Sequence, residues 1–465
     1  MEKGMFLSPR FVIIVQYGFV WDPSGIPDRS APTPILKGDP MTTHHPIAPP
    51  PNNAVITKAM CVAFGLSLIL MGFACDTPRN ILIGLREYIL CEDILLTDYF
   101  VIGSVGAAFV NAGLVTLISI GLTLWIRTPY TGSTLAMIFL MGGFALFGKN
   151  PVNILPFFLG VWAYAKIKRH PMARYTNAAL FSTTLAPIVS DLMLHGSLPF
   201  PIRMAAATLG GALIGYLIIP LAEHSFSTHM GYTLFNYGFA GGLMALIIAS
   251  CIQAMGGSIE TQLIWRNGIP VPVLIYLVLL ILALTLAGLY FCGWNPLAYL
   301  RIMRHSGRAP TDFVMTDGIG ASMVNMGAMG IVSLIYILLI GGDLNGPVVG
   351  AILTSIGFGA AGEHPKNTIP VIAGVFIASH IMIPSNTDPG MQLAALFGTA
   401  LAPISGQFGA HYGILAGLLH AAVVLAVAAP CGGYNLYNNG FAAGLVALVM
   451  VSMIQGVSKR WRSAD

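Results

Sequence analysis

Gly148-Lys149-Asn150-Pro151-Val152-Asn153-Ile154-Leu155-Pro156 and Gly362-Glu363-His364-Pro365-Lys366-Asn367-Thr368-Ile369-Pro370 carry one spacing, GxxPxNxxP, twice, 214 positions apart. Working outward at that offset, Gly106-Ala107, Val110-Asn111 and Gly113 fall on Gly320-Ala321, Val324-Asn325 and Gly327, and Gly143-Phe144 and Gly160-Val161 fall on Gly357-Phe358 and Gly374-Val375. Leu185-Ala186-Pro187-Ile188 meets Leu401-Ala402-Pro403-Ile404 at an offset of 216. Gly231-Tyr232, Leu234, Asn236 and Gly238-Phe239-Ala240 meet Gly433-Tyr434, Leu436, Asn438 and Gly440-Phe441-Ala442 at 202. Colinear blocks of this kind mark an internal duplication.

The composition says where such a chain lives. Of its 465 residues 56% are hydrophobic and only 9% charged, against roughly 25% charged in an average soluble domain. With 53 glycines and a mean hydropathy of +0.78, this excludes a water-soluble globule and predicts an all-α, polytopic integral membrane protein. A net charge of +4 bears on orientation and gives no case for nucleic acid. The cysteines (Cys61, Cys75, Cys91, Cys251, Cys292, Cys431) form no CxxC and read as small packing residues.

We count about 14 apolar segments after the polar start. The expected divisions are a disordered cytoplasmic tail over 1–53, with Met41 a second candidate start, and an extra helix with an acidic outer loop over 54–98. Membrane repeat 1 follows over 99–255, then a connector helix and basic loop over 256–313, and repeat 2 with a basic tail over 314–465. Alternating the segments from a cytoplasmic N-terminus puts Lys166, Lys168, Arg169 and Arg174, then Arg301, Arg304 and Arg308, then Lys459, Arg460 and Arg462 all on the cytoplasmic side. Six segments per repeat and one between them reverse the second copy, so the repeats are expected to be inverted, in an inner (plasma) membrane with both termini cytoplasmic.

Proline and glycine free backbone groups, and at membrane depth such groups belong in protein or along a polar cavity. The spacing therefore predicts broken or re-entrant helices at Gly148, Pro151, Asn153 and Pro156 and at Gly362, Pro365, Asn367 and Pro370. These residues, with Asn236 and Asn438, are the candidate substrate path; the alternative for Asn153 and Asn367 is that they cap the broken ends. Asp191, with Gln407 at the matching place, is the candidate ion or proton site. Lys149 and Glu363 are candidate selectivity charges, or else loop charges. Asn111 and Asn325 are expected to make hydrogen bonds between helices. Gly143 to Asn150 lacks the Ser or Thr of a P-loop, Glu223-His224 with His229 is not HExxH, and Glu223 and His224 read as solvated. No metal, cofactor or catalytic set is expected.

The paired blocks resemble a family of bacterial multi-pass membrane proteins catalogued as a domain of unknown function. FGKNPVNILPFFLGVW and GYTLFNYGFAGGLMAL are also similar to segments of the urea transporter family, which implies an inverted-repeat path for a small neutral solute; the order of the two segments is reversed here. The expected function is a transporter or channel for a small polar solute between the repeats, passive or driven by an ion gradient. Its partners would be the bilayer and that solute, with a homo-oligomer left open. The alternative is a membrane-embedded enzyme acting on a lipid or isoprenoid headgroup.

Overall fold

The computed structural model describes residues 53–259 and 261–462, so the expected tail, Met41 included, lies outside the described residues except for Asn53. Within them the chain is helical apart from two three-residue strands. The first half runs α1 (Asn53–Cys75), α2 (Pro78–Ile89), β1 (Leu95–Thr97), α3 (Tyr99–Ile102), α4 (Val105–Trp125), α5 (Gly132–Phe144), α6 (Pro151–Ile167), α7 (Thr176–Ser182), α8 (Ala186–Leu194), α9 (Phe200–His229) and α10 (Asn236–Ala254). After β2 (Gln262–Ile264) the second half runs α11 (Val271–Phe291), α12 (Leu297–Ile302), α13 (Phe313–Thr316), α14 (Ile319–Leu339), α15 (Gly346–Phe358), α16 (Pro365–Ile381), α17 (Pro389–Phe397), α18 (Ala402–Phe408), α19 (Ala410–Val427) and α20 (Asn438–Arg462). Tight 3-10 turns at Thr183–Leu185 and Gly398–Leu401 interrupt α7–α8 and α17–α18 at matching places.

Among the described residues, nine helical runs are long and apolar enough to cross a bilayer. They include α1, α4, α9, α10, α11, α14, α19 and most of α20, and their outward residues are apolar too: Leu70, Leu209 and Leu279 are each 60% exposed or more. A helix apolar all round suits lipid on one side and protein on the other.

The order of elements runs twice, and lengths match: 21 residues in α4 and α14, 13 in α5 and α15, 17 in α6 and α16. The helix expected as a connector over 271–292, α11, packs on α14 as α1 packs on α4. A side chain at Gly72 of α1 would strike Gly106 O and Val110, and one at Gly288 of α11 would strike Gly320 O and Val324, residues that match at the 214 offset. Each half thus opens with its own long helix packed through glycine against the next one. The sequence comparison missed this because a leucine-rich span has few distinctive residues to align.

The centre of the molecule is α5 against α15, in which all 26 side-chain positions are buried. They run antiparallel. Gly132 at the start of α5 lies on Ala360 O just past α15, and Gly346 at the start of α15 lies on Leu146 O just past α5. Their backbones meet where Gly143 and Gly350 face each other; a Cβ on either would be 2.5 Å from the other's carbonyl oxygen. β1 and β2 pair in parallel, Leu95 beside Gln262, and tie the linker ahead of α11 to the first half.

Candidate functional site

The chain leaves α5 at Phe144 and enters α6 at Pro151, and the physical reason lies in the motif. Gly148 takes φ 151°, which side chains disfavour, and a residue before proline avoids the helical region, so Asn150 is extended at φ −135°. Asn150 and Asn153 then form a capping box: Asn150 Oδ1 accepts from Asn153 N at 3.0 Å while Asn153 Oδ1 accepts from Asn150 N at 2.9 Å. His364 and Asn367 repeat this, Asn367 Oδ1 accepting from His364 N at 2.9 Å. Across each break an asparagine of the preceding long helix donates twice, Asn111 to Ala145 O and Lys149 O and Asn325 to Gly359 O and Glu363 O, at 2.7 to 2.8 Å.

The amides of Asn153 and Asn367 are therefore consumed by capping. Asn153 Nδ2 donates to Gly148 O, Asp93 and Ser190, and Asn367 Nδ2 to Gly362 O and Ser306 O. Pro151 and Pro365 open their helices at the first position, and Pro156 packs on Gly211 and Pro370 on Gly413. Gly148 and Gly362 supply the positive φ. Of the ten expected path residues, only Asn236 and Asn438 line the cavities described next.

Those cavities come as a matched pair with a third between them. The first, about 60 Å³ of water-accessible space, lies among α5, α7, α9 and α10; the second, about 240 Å³, lies among β1, α17, α19 and α20. The repeat offsets convert one lining into the other: Phe181 into Phe397, Ala222 into Val424, Leu234 into Leu436, Asn236 into Asn438. Between them a space of about 10 Å³ shares Phe181 with the first and Phe397, Leu436 and Asn439 with the second. That is at the limit for one water, so the line is shut at its middle.

Aromatic rings make the closure, in three offset-related pairs: Phe144 and Phe358, Phe181 and Phe397, Phe235 and Tyr437. Phe144 contacts Phe397 at 5.3 Å and Tyr437 at 4.4 Å between ring centres, Phe235 contacts Phe358 at 4.7 Å, and Phe181 contacts Tyr437 at 6.1 Å. Lys149 and Glu363 stand behind this plug, both fully buried in the turns between α5 and α6 and between α15 and α16. Lys149 Nζ donates to the Tyr437 hydroxyl and lies over the Tyr437 ring at 4.6 Å. Glu363 Oε1 accepts from Thr399 at 3.0 Å, and its Oε2 is buried with no hydrogen-bond partner among the described residues. No ion pair joins Lys149 to Glu363 among the described residues.

Within the stretch expected as an acidic outer loop, Asp93 and Asp98 are buried. Asp93 accepts from the Tyr99 hydroxyl at 2.6 Å, Ser190 at 2.9 Å and Asn153 at 3.1 Å. Asp191 falls within the candidate span Met172–Leu194, in the last turn of α8, and is partly exposed. It accepts from the Tyr434 hydroxyl at 2.6 Å and lies 2.7 Å from His195 Nδ1, while His195 Nε2 is 2.9 Å from Glu92. Gln407 is exposed near the end of α18. Glu223, read as a solvated loop residue, is half-buried in α9 and lines the first cavity; His224 beside it is exposed. The signal that could have found Asp93 is the offset itself: extended upstream, it sets Asp93 on Gly307, both with positive φ, at 62° and 79°. No group of three or more His, Cys, Asp or Glu placed to hold a metal occurs among the described residues.

Compared with known proteins, residues 77–254 and 296–456 match the family model described as protein of unknown function, DUF1576. The break between the matched parts contains β2 and α11. No curated protein and no solved structure matches. The comparisons thus lend no support to the likeness with urea transporters.

Proposed function

We propose that this chain, which belongs to the DUF1576 family, carries a small polar solute across a membrane along the line of the three cavities. One observation carries the reading: two cavities whose linings interconvert by the repeat offsets, meeting at an aromatic plug built from offset-related pairs. When two halves of like sequence pack about one closure, the arrangement open on one side has a counterpart of similar energy open on the other, which is what alternating access requires. The halves are inverted in the membrane in this proposal, with repeats of 53–254 and 271–456. α5, α6, α15 and α16 count as crossings shortened because protein covers them, giving 14 passes. Both termini are then cytoplasmic, and so are the basic stretches from Lys166 to Arg174 and from Arg301 to Arg308. The first cavity, which Arg174 lines, opens to the cytoplasmic side and the second to the outer side of the plasma membrane. Transport is passive or driven by an ion gradient.

The test is flux into liposomes holding the purified full-length protein, with urea and other amides, organic acids, amino acids and monovalent cations as the panel. Saturable movement of at least one solute is expected. No flux of any solute through folded, inserted protein overturns the reading and returns attention to the alternative, an enzyme acting on a lipid headgroup.

A further inference from the structure

Arg174, Asn177 and Glu223 face the first cavity, and none of their side chains has a hydrogen-bond partner among the described residues; Arg174 Nε is buried without one, its guanidinium lying over the Tyr175 ring at 5.8 Å. Every ion pair among the described residues uses a histidine, so the guanidinium and the carboxylate share one cavity without neutralising each other directly. That is unusual for two opposite charges half-buried among Phe181, Phe226 and Phe358, where a direct bond would relieve both. The offsets show that the arrangement is not imposed by the fold: in the second cavity the same positions are Gly390, Leu393 and Leu425. Asn236, by contrast, is held by Ala222 O at 2.9 Å and by His229 at 2.8 Å and is not available. Behind the plug, and outside the lining of the three cavities, Lys149 and Glu363 are a buried basic and a buried acidic residue at matching positions.

We propose that the first cavity is the loading site for a small zwitterion, its carboxylate taken by Arg174 and Asn177 and its ammonium by Glu223. This rests on the transport reading and names the substrate class for the same path. A solute of no net charge but with a strong dipole satisfies both open charges, whereas a simple anion or cation leaves one of them unpaired. The ammonium can also lie against aromatic faces as it passes Phe181 and Tyr437. The offset asymmetry makes this cavity the better-binding side, since no charged side chain lines the second and its Asn435 amide is already bonded to Thr184 and Gly238 O.

The experiment measures uptake of glycine and alanine beside acetate, methylamine and urea in liposomes carrying the full chain, as wild type, Arg174→Gln, Glu223→Gln and the exchanged pair Arg174→Glu/Glu223→Arg. The expected result is saturable uptake of the zwitterions, with the half-saturating concentration raised about tenfold or more in each single variant and lowered again in the exchanged pair. Size-exclusion profiles and thermal melts in detergent identify a variant that has misfolded, and Glu223→Gln, nearly isosteric, keeps the test alive if Arg174→Gln fails. Saturable flux of acetate, methylamine or urea without zwitterion flux overturns this inference and leaves transport standing. Equal half-saturation in folded wild type and both single variants also overturns it. Absence of all flux overturns the transport reading itself.

Discussion

Asp98 and Asp312 stand 214 positions apart, and each caps a central helix of the opposite half. Asp98 Oδ1 accepts from Gly346 N, the first residue of α15, at 3.0 Å; Asp312 Oδ1 accepts from Gly132 N, the first residue of α5, at 2.9 Å, and its Oδ2 from Ser133 N at 3.0 Å. The same carboxylates cap their own short helices, Asp98 through Phe100 N and Asp312 through Met315 N. A helix that starts inside protein has amides that water cannot reach, and a carboxylate satisfies them while favouring the positive end of the helix. The exchange ties the two halves together at both ends of the α5–α15 pair.

Asp98→Ala and Asp312→Ala should each destabilise the folded protein by about 2 kcal/mol or more, because buried amides lose a charged acceptor. Thermal melts in detergent measure it. Two variants that melt with the wild type would show that the caps contribute nothing.

Backbone contact between Gly143 and Gly350 leaves no room for a methyl group. Gly143→Ala or Gly350→Ala should cost about 1 to 3 kcal/mol through forced separation of α5 and α15. Gly121→Ala is the control: a Cβ there meets nothing within 4 Å in a helix, so it should be neutral or stabilising. Equal effects at all three sites would contradict the packing described.

Truncating the plug should open the line. Phe181→Ala/Phe397→Ala removes one offset-related pair of rings from around the central space and is expected to admit solute and ion leak at rates well above wild type, read as dye-reported flux in liposomes. A tight double variant would mean that the three cavities are not one path.

His195 makes stability depend on pH. Partial burial disfavours its charged form, but the Asp191 hydrogen bond and the nearby Glu92 and Asp191 charges outweigh this and hold its pKa above the ordinary 6.5. A raised folded-state pKa contributes stability that is fully present below the unfolded value and is lost as pH rises through the folded one. The melting advantage of wild type over His195→Gln should therefore be largest below about pH 6.5 and shrink above it. A difference independent of pH would rule out this linkage.

Much of this was legible in the sequence. The breaks at Gly148 and Gly362 follow from residues whose backbone preferences act locally, and the offsets that located them also relate the cavities and the capping aspartates. What the motif did not disclose is the fate of its asparagines: Asn153 and Asn367 look like free polar groups until the capping boxes are seen to use them. Nor did it separate Asp93 from Glu92, adjacent carboxylates of which one is bonded among Tyr99, Asn153 and Ser190 and the other faces His195 at the surface.

Sequence alone thus determined a helical chain with apolar segments long enough to cross a membrane and matched blocks with paired interruptions, because hydropathy, periodicity and glycine or proline geometry operate over a few residues. Only the tertiary structure decided that α11 packs on α14 as α1 packs on α4, that Phe181 and Phe397 flank the space between two cavities, and that Arg174 and Glu223 line one cavity without an ion pair between them. Those facts depend on which face of each helix another half of the chain covers, and that is set by packing between segments some 200 residues apart, where the local pattern carries no record of the partner.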